Sequence, residues 1–342
     1  MNKVKILKNS PVFLSYATAG GYLEGKGPLG DRFDIISEDD LFGQKTFEGA
    51  EGEMGRLAVN VALSKANISH EAVDLCVAGD LQNQCVASSV GLSSFGIPFL
   101  GVYGACSTCC ESLLISSAMC ECGAANTVIT LTTSHNSAAE RQFRTPLEYG
   151  GIRPPSAQWT ATAAGAFILT TDPTLISKSE KDRVKVKAFM PGRMIDGATP
   201  DATNMGGAMA FAAADSIISF FESSGKRVSE FDLILTGDLG AIGSDILKSI
   251  LEERLPSAAS RHKDCGLILY DREKSDVHSG ASGCGTSAAV LASLFLPLME
   301  KGEVGDILLL STGALMSPSS VLQGNNIFGI APAVHLGRGD SL

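Results

Sequence analysis

The 342-residue sequence has no apolar run approaching the roughly 18 residues needed to span a bilayer, its longest candidates being broken by Gly, Ser or Asp. A membrane-spanning chain is therefore not expected. Positive charge is also scarce. Against 37 Asp and Glu there are 27 Lys and Arg, a formal net charge of -10, with a pI near 5.0. That balance argues against nucleic acid as a partner, because sequence-independent binding depends on neutralising phosphates. The opening stretch MNKVKILKNSPVFLSYATAGG carries Lys3, Lys5 and Lys8 and an Ala17-x-Ala19. Its apolar patch is short and holds Pro11, so it does not read as a secretory signal. The nine cysteines are odd in number and clustered. They suit free thiols in a reducing compartment better than a disulfide framework, and an intracellular site is expected.

With 44% hydrophobic and 19% charged residues the chain can bury a sizeable core, and its mean hydropathy of +0.17 agrees. A small ligand or a protein partner is expected. Short β-branched runs predict strands at 73–78, 97–103, 127–133, 166–170, 231–236, 265–270 and 306–311. Helical patterns fall between them, at 49–65, 108–122, 208–223, 243–253 and 287–301. This alternation marks an α/β layered fold. One repeat bears on organisation: DLCVAGDL at 74–81 returns as DLILTGDL at 232–239. CGAANTVITLTTS at 122–134 is echoed in the same order by KGEVGDILLLSTG at 301–313. A separation near half the chain means two related halves, not a short-period solenoid. The polar stretch SKSEKDR sets the expected boundary, with halves of 1–176 and 177–342.

Chemistry concentrates around VYGACSTCCESLL at 102–114. Gly104, Ala105 and Cys106 follow a predicted strand, and Ser107 or Thr108 can cap the next helix. Thr108 and Glu111 have capping-box spacing. Ile115, Ala118, Met119 and Cys122 are expected to form its apolar face. Cys106 is thus expected at a helix N-terminus, where amides and dipole favour a thiolate and can bind an anion. A buried structural cysteine is the bland alternative. Zinc is a weaker one, since sixteen helical residues at about 1.5 Å each would hold Cys106 roughly 24 Å from Cys122. His135, in TTSHN with Asn136, and the paired Asp80 and Asp238 all follow strand ends, the edge where open α/β sheets bind ligands. Arg141, Arg144 and Tyr149 lie in a stretch that reads as a long loop, and its arginines could clamp carboxylates or simply hold the loop.

Two related halves with a cysteine at the first half's strand-to-helix turn resemble the thiolase superfamily, in which that cysteine carries an acyl group. More closely, FGQKTFEGAE, AGDLQNQ, GACSTCCES, TTSHNSAAERQFRTPLEYGG, TGDLGAIGS and STGALMSP resemble the stage V sporulation protein AD family. The resemblance implies an α/β, thiolase-like fold of two duplicated βαβ halves in five layers, αβαβα. It further implies non-enzymatic binding of dipicolinic acid, with or without calcium, in support of its uptake into the developing spore. A homodimer is expected from it, as are other stage V sporulation A membrane proteins as partners. The location expected is the forespore or spore, soluble or peripheral to the inner membrane. No cofactor or metal site is expected.

For the ligand that the resemblance implies, the predicted convergence of polar groups gives an expected set of Cys106, Ser107, Thr108, His135, Asn136, Asp80, Arg141, Arg144, Tyr149, Met205, Asp238 and Cys284. Condensing enzymes of the Cys-His-Asn type place a His in a second-half HxxxN-like string and an Asn before a Thr-Ser-Ala helix start. Here Asp238 in GDLGAIGS stands at the first position and Gly285 in GCGTSAAV at the second. A cysteine without a base or oxyanion donors is a poor acyl carrier. The alternative is a condensing or acyl-transfer enzyme of the β-ketoacyl synthase type, with Cys106 as nucleophile and His135 as the substitute base.

Overall fold

The computed structural model describes residues 3–143, 153–176 and 183–339. In the first half, five strands form one sheet: β1 (Val12–Gly20), β2 (Leu75–Gly79), β3 (Phe99–Gly101), β4 (Thr127–Ser134) and β5 (Ala163–Thr170). Five more form another: β6 (Lys185–Met190), β7 (Leu233–Thr236), β8 (His262–Asp264), β9 (Ile307–Leu310) and β10 (Ala333–Gly337). The spatial orders are β3-β2-β4-β5-β1 and β8-β7-β9-β10-β6, the same path in both. In each sheet the first three of these strands run parallel and the last two pairings are antiparallel. The sheets meet through one antiparallel pairing, Val12 with Lys185. The repeated strings DLCVAGDL and DLILTGDL lie on β2 and β7, equivalent positions in the two orders.

Helices complete five layers. On one outer face lie α1 (Phe47–Ala66) and α2 (Val86–Leu92). Between the sheets run α3 (Thr108–Glu121) and α7 (Cys284–Val290), the latter prolonged through a π turn to Glu300. A short α4 (Asn136–Phe143) follows β4, and α5 (Met205–Ser224) with α6 (Gly240–Arg254) covers the other outer face. Three apolar cores fill the gaps between layers. Met54, Ala58 and Val59 of α1 pack on Ile129 and Ala166 of the first sheet. Met209, Ile217 and Phe220 of α5 pack on Ile234 and Leu308 of the second. Phe13, Phe167, Leu309 and Val334 from the two sheets close over Cys110, Leu113 and Leu291 in the middle. Together these are the thiolase-like αβαβα layers.

Local sequence explains the ends. Thr46 caps α1 by accepting the Gly49 amide at 3.1 Å, and Asn67 closes it in the left-handed conformation. Asn204 caps α5 through the Gly207 amide at 3.1 Å, so that helix begins three residues before the predicted start.

Three expectations are corrected. The predicted strand at 265–270 is a single helical turn, Cys265–Ile268, and the strand is His262–Asp264. The Asp264 carboxylate accepts the Leu239 and Gly240 amides at 2.9 and 3.1 Å and ends the strand there. The apolar run after it is buried as a turn, with Cys265, Leu269 and Tyr270 in the middle core. In α3, Cys109, Cys110, Leu113, Ser116, Ser117 and Cys120 are buried, while Ile115, Ala118 and Met119 are half-buried and Cys122 is exposed. A helix clamped between two sheets needs small side chains on its buried sides, which is why the bulkier stripe is not the core face. The edge strand predicted at 97–103 is only Phe99–Gly101. The expected boundary at 176 abuts residues 177–182, which lie outside the described residues. Among the described residues no helix is long and apolar enough to cross a membrane.

Candidate functional site

Past β3 the chain turns sharply at Ala105, whose φ of +52° is left-handed. Residues Ala105–Ser107 form one 3-10 turn before α3 begins. That turn presents Cys106, 6% exposed, to a cavity of about 420 Å³. The capping-box expectation for Thr108 and Glu111 is corrected here. The Thr108 hydroxyl donates to the Ala105 carbonyl at 2.7 Å, and Glu111 accepts instead from the Ser107 hydroxyl at 2.7 Å. Both hydroxyls tie the turn together and neither lines the cavity.

Opposite Cys106 stands Asp238, two residues past β7. Its carboxyl group accepts from the Gly283 amide at 2.9 Å and the Thr312 hydroxyl at 2.8 Å, and it lies near enough to the Cys106 thiol for the two groups to shift each other's titration. Burial pushes the Asp238 carboxyl up to about 7. Burial, then the Asp238 charge, pushes the Cys106 thiol well above the ordinary thiol value. The thiolate expected from a helix N-terminus is therefore overturned. Cys106 sits inside the 3-10 turn that precedes α3 and not on the helix end itself, and the leading charge acting on it is the negative Asp238.

Gly285 heads α7 next to this pair. A Cβ there would sit 2.2 Å from the Ala163 carbonyl oxygen. No asparagine fits without moving β5, so the oxyanion-binding side chain of a Cys-His-Asn site has no place at this position.

The other expected residues divide by place. Met205 lines the Cys106 cavity. Cys284 is wholly buried beneath it in an apolar cluster with Cys106, Leu81 and Ala139, its thiol donating to the Thr133 carbonyl at 2.9 Å. Asp80 accepts from the Gln82 amide at 2.8 Å and from the Ser88 amide and hydroxyl at 2.8 and 2.6 Å, which pins the loop after β2. It does not reach the cavity wall.

His135 is 1% exposed, packs on the Phe47 ring at 5.4 Å and places Nε2 2.8 Å from the Asp40 carbonyl oxygen. Burial lowers its basicity. It is not on the Cys106 cavity, so it cannot serve Cys106 as a direct base. Asn136 and Arg141 line a different cavity, which shares Glu140 of α4 with the first. The Asn136 side chain donates to the Thr160 carbonyl at 3.1 Å, and Arg141 is ion-paired with Glu48. Arg144 and Tyr149 lie outside the described residues.

Sequence reasoning missed much of the wall: Leu81, Tyr103, Glu140, Phe143, Ser282 and Met316. Glu140 and Phe143 share one side of α4 by their spacing, and Met316 stands in the quoted STGALMSP, the available signals. Among the described residues the wall carries one carboxylate, Glu140, and no Lys, Arg or His.

The sequence profile described as Stage V sporulation protein AD (SpoVAD) matches residues 2–337. Stage V sporulation protein AD of Bacillus subtilis (strain 168) is 39% identical over 325 residues, covering 95% of this chain and 94% of its own. Solved structures share the fold at low identity. The 3-oxoacyl-[acyl-carrier-protein] synthase III of Aquifex aeolicus VF5 superposes with a TM-score of 0.57 at 14% identity, over 96% of this chain and 99% of that one. Cerulenin-bound OleA of Xanthomonas campestris gives 0.60 at 15% identity, over 96% and 99%.

Proposed function

The chain belongs to the stage V sporulation protein AD family, and from that premise we propose that it binds dipicolinic acid without catalysis in the cavity beside Cys106. Binding there would support uptake of dipicolinate into the developing spore. The observation that carries this reading is the pairing of Cys106 with Asp238. An acyl-carrying cysteine needs a base to take its proton and donors for the acyl oxygen. Here the Asp238 charge pushes the thiol's pKa up and so opposes the nucleophilic thiolate, and Gly285 excludes the asparagine that would hold the acyl oxygen.

Dipicolinate is a flat ring with two carboxylates and a pyridine nitrogen. Leu81, Phe143, Met205 and Met316 offer apolar walls to the ring, while Asn83, Thr160, Ser282 and Ser317 offer amide and hydroxyl groups. The volume of about 420 Å³ lies within the range of about 300–1,000 Å³ for small-molecule sites. A bare dianion beside Glu140 and Asp238 would be repelled in a poorly solvated space. The calcium chelate, which is neutral, is the form that suits this wall.

A calorimetric titration with dipicolinate, with and without calcium, tests the reading alongside intact-mass analysis after incubation with acetyl- and malonyl-coenzyme A. The expected result is saturable binding strengthened by calcium, its loss in Cys106→Phe, and no acyl adduct. An adduct on Cys106 without dipicolinate binding would restore the condensing-enzyme reading.

The expected homodimer belongs to the same proposal. Strand β3 is a sheet edge whose flank exposes Phe99 (37%), Leu100 (42%), Tyr103 (49%) and Val90 (60%). Unpaired edge backbone beside exposed apolar side chains fits a second copy of this chain.

A further inference from the structure

Away from the cavities, one buried acid is only half paired. Glu24, on the short helical turn Tyr22–Gly25, is 1% exposed. Its Oε1 accepts from the Thr162 amide at 3.0 Å and from the Tyr270 hydroxyl, while its Oε2 is shielded from solvent and has no hydrogen-bond partner. Asp40 approaches from the loop 37–46. A Cβ on Gly21 would stand 2.2 Å from Asp40 Oδ1 and 2.9 Å from Glu24 Oε2, so the two carboxyl groups flank one small space that glycine leaves open. Oδ1 also accepts from the Tyr22 amide at 2.6 Å. Two ionised carboxylates this close, one of them buried, repel each other, whereas a proton on Oε2 neutralises Glu24 and gives that oxygen a donor's role. Burial, with the Asp40 charge adding to it, raises the Glu24 carboxyl to about 7. Tyr270 is the other titratable group facing it, and Tyr22 and Lys26 of its own turn pair with each other at the surface. The loop itself is strained: Asp40 and Phe42 hold left-handed φ values of +58° and +50°. Its Asp40 carbonyl oxygen lies 2.8 Å from His135 Nε2, so the loop covers that ring.

We propose that Glu24 donates a proton from Oε2 to Asp40 Oδ1, and that this shared proton is a latch holding the loop 37–46 closed over His135. Loss of the proton leaves two carboxylates facing each other, and the strained loop opens. Opening frees the His135 ring, whose Nδ1 is buried without a partner while the loop is closed. The carboxyl group titrates higher in the closed loop than in an open, solvated one. The latch is therefore intact at low pH and weakens as pH rises from the ordinary carboxylate range through about 7. It is independent of dipicolinate binding beside Cys106, and either can fail without the other.

Hydrogen–deuterium exchange of the full-length protein at about pH 5.5 and about pH 7.5, beside Glu24→Gln, tests the latch. A glutamine can keep the bonds to Oε1 and donate to Asp40 at every pH. The ratio of exchange rates, unmodified over variant, cancels the intrinsic pH dependence of exchange. The reporters are the Tyr22 amide, bonded to Asp40 Oδ1, and the Ser37 amide, which donates to the Gly20 carbonyl at 2.9 Å. That ratio is expected to rise roughly tenfold or more between the two pH values, and to stay constant at the amides of β9. Asp40→Asn removes the opposing charge and serves as the second variant if Glu24→Gln does not fold, with a rise in the same direction. A ratio that does not change with pH would overturn the proposal. So would a rise shared by β9, which marks unfolding of the whole chain and not of the loop.

Discussion

Two residues, Asp238 and Gly285, separate this site from a Cys-His-Asn condensing site. Asp238 belongs to a wider group of buried carboxyl groups. Burial raises it to about 7, Glu24, hydrogen-bonded by Tyr270, to about 7, and Glu51, near Asp80, to about 8. Each folded value lies above its unfolded one, so the native state holds more protons and stability falls as pH rises through the folded values. The buried histidines act oppositely, but only below their unfolded value of about 6.5. Between about pH 6.5 and 8 the carboxyl groups lead, and the buried cysteines, raised in the folded state, add in the same direction as unfolded thiols begin to ionise toward pH 8. Urea unfolding across that window should show stability declining by on the order of 2–3 kcal/mol. Glu51→Gln should flatten the decline, and a flat or rising profile in the unmodified protein would remove these protonated carboxyl groups from the account. At this scale Cys106 and Asp238 were legible as strand-end residues. Their direct opposition was not, because 132 positions of chain separate them.

The helices show the duplication in their contacts. In the first half α1 crosses α2 where a Cβ on Gly91 would stand 2.2 Å from the Gly52 carbonyl oxygen. In the second, α5 crosses α6 where a Cβ on Gly243 would stand 2.5 Å from the Gly206 carbonyl oxygen. Both are backbone contacts with no flexible side chain to yield. Gly91→Ala is therefore expected to destabilise by about 1–3 kcal/mol, read from thermal or urea unfolding. An unchanged midpoint would mean that the helices separate freely. Helix and strand identity was largely readable, because periodicity and caps such as Thr46 and Asn204 act locally. The buried face of α3 was not. Which side of a central helix is covered depends on two sheets assembled from remote segments, and the small residues Cys109, Ser116 and Ser117 carry no strong apolar signal.

For the whole molecule, the edge at β3 gives the dimer proposal its test. Leu100→Lys places a charge on the exposed edge and should convert a dimer to monomer in sedimentation velocity, with the fold retained by circular dichroism. Sedimentation of the unmodified chain as a monomer would exclude the proposal. The sequence by itself determined the α/β class, the repeated strings that now lie on equivalent strands, the family, and the turn that carries Cys106. All of these rest on local patterns or contiguous motifs. Only the tertiary structure decided that Asp238 faces the thiol, that His135 turns away to Asp40, and that Arg141 and Asn136 serve a second cavity. The physical reason is that the site is built where the ends of two sheets converge. Which side chains share a cavity there is set by the packing of layers and not by spacing along the chain.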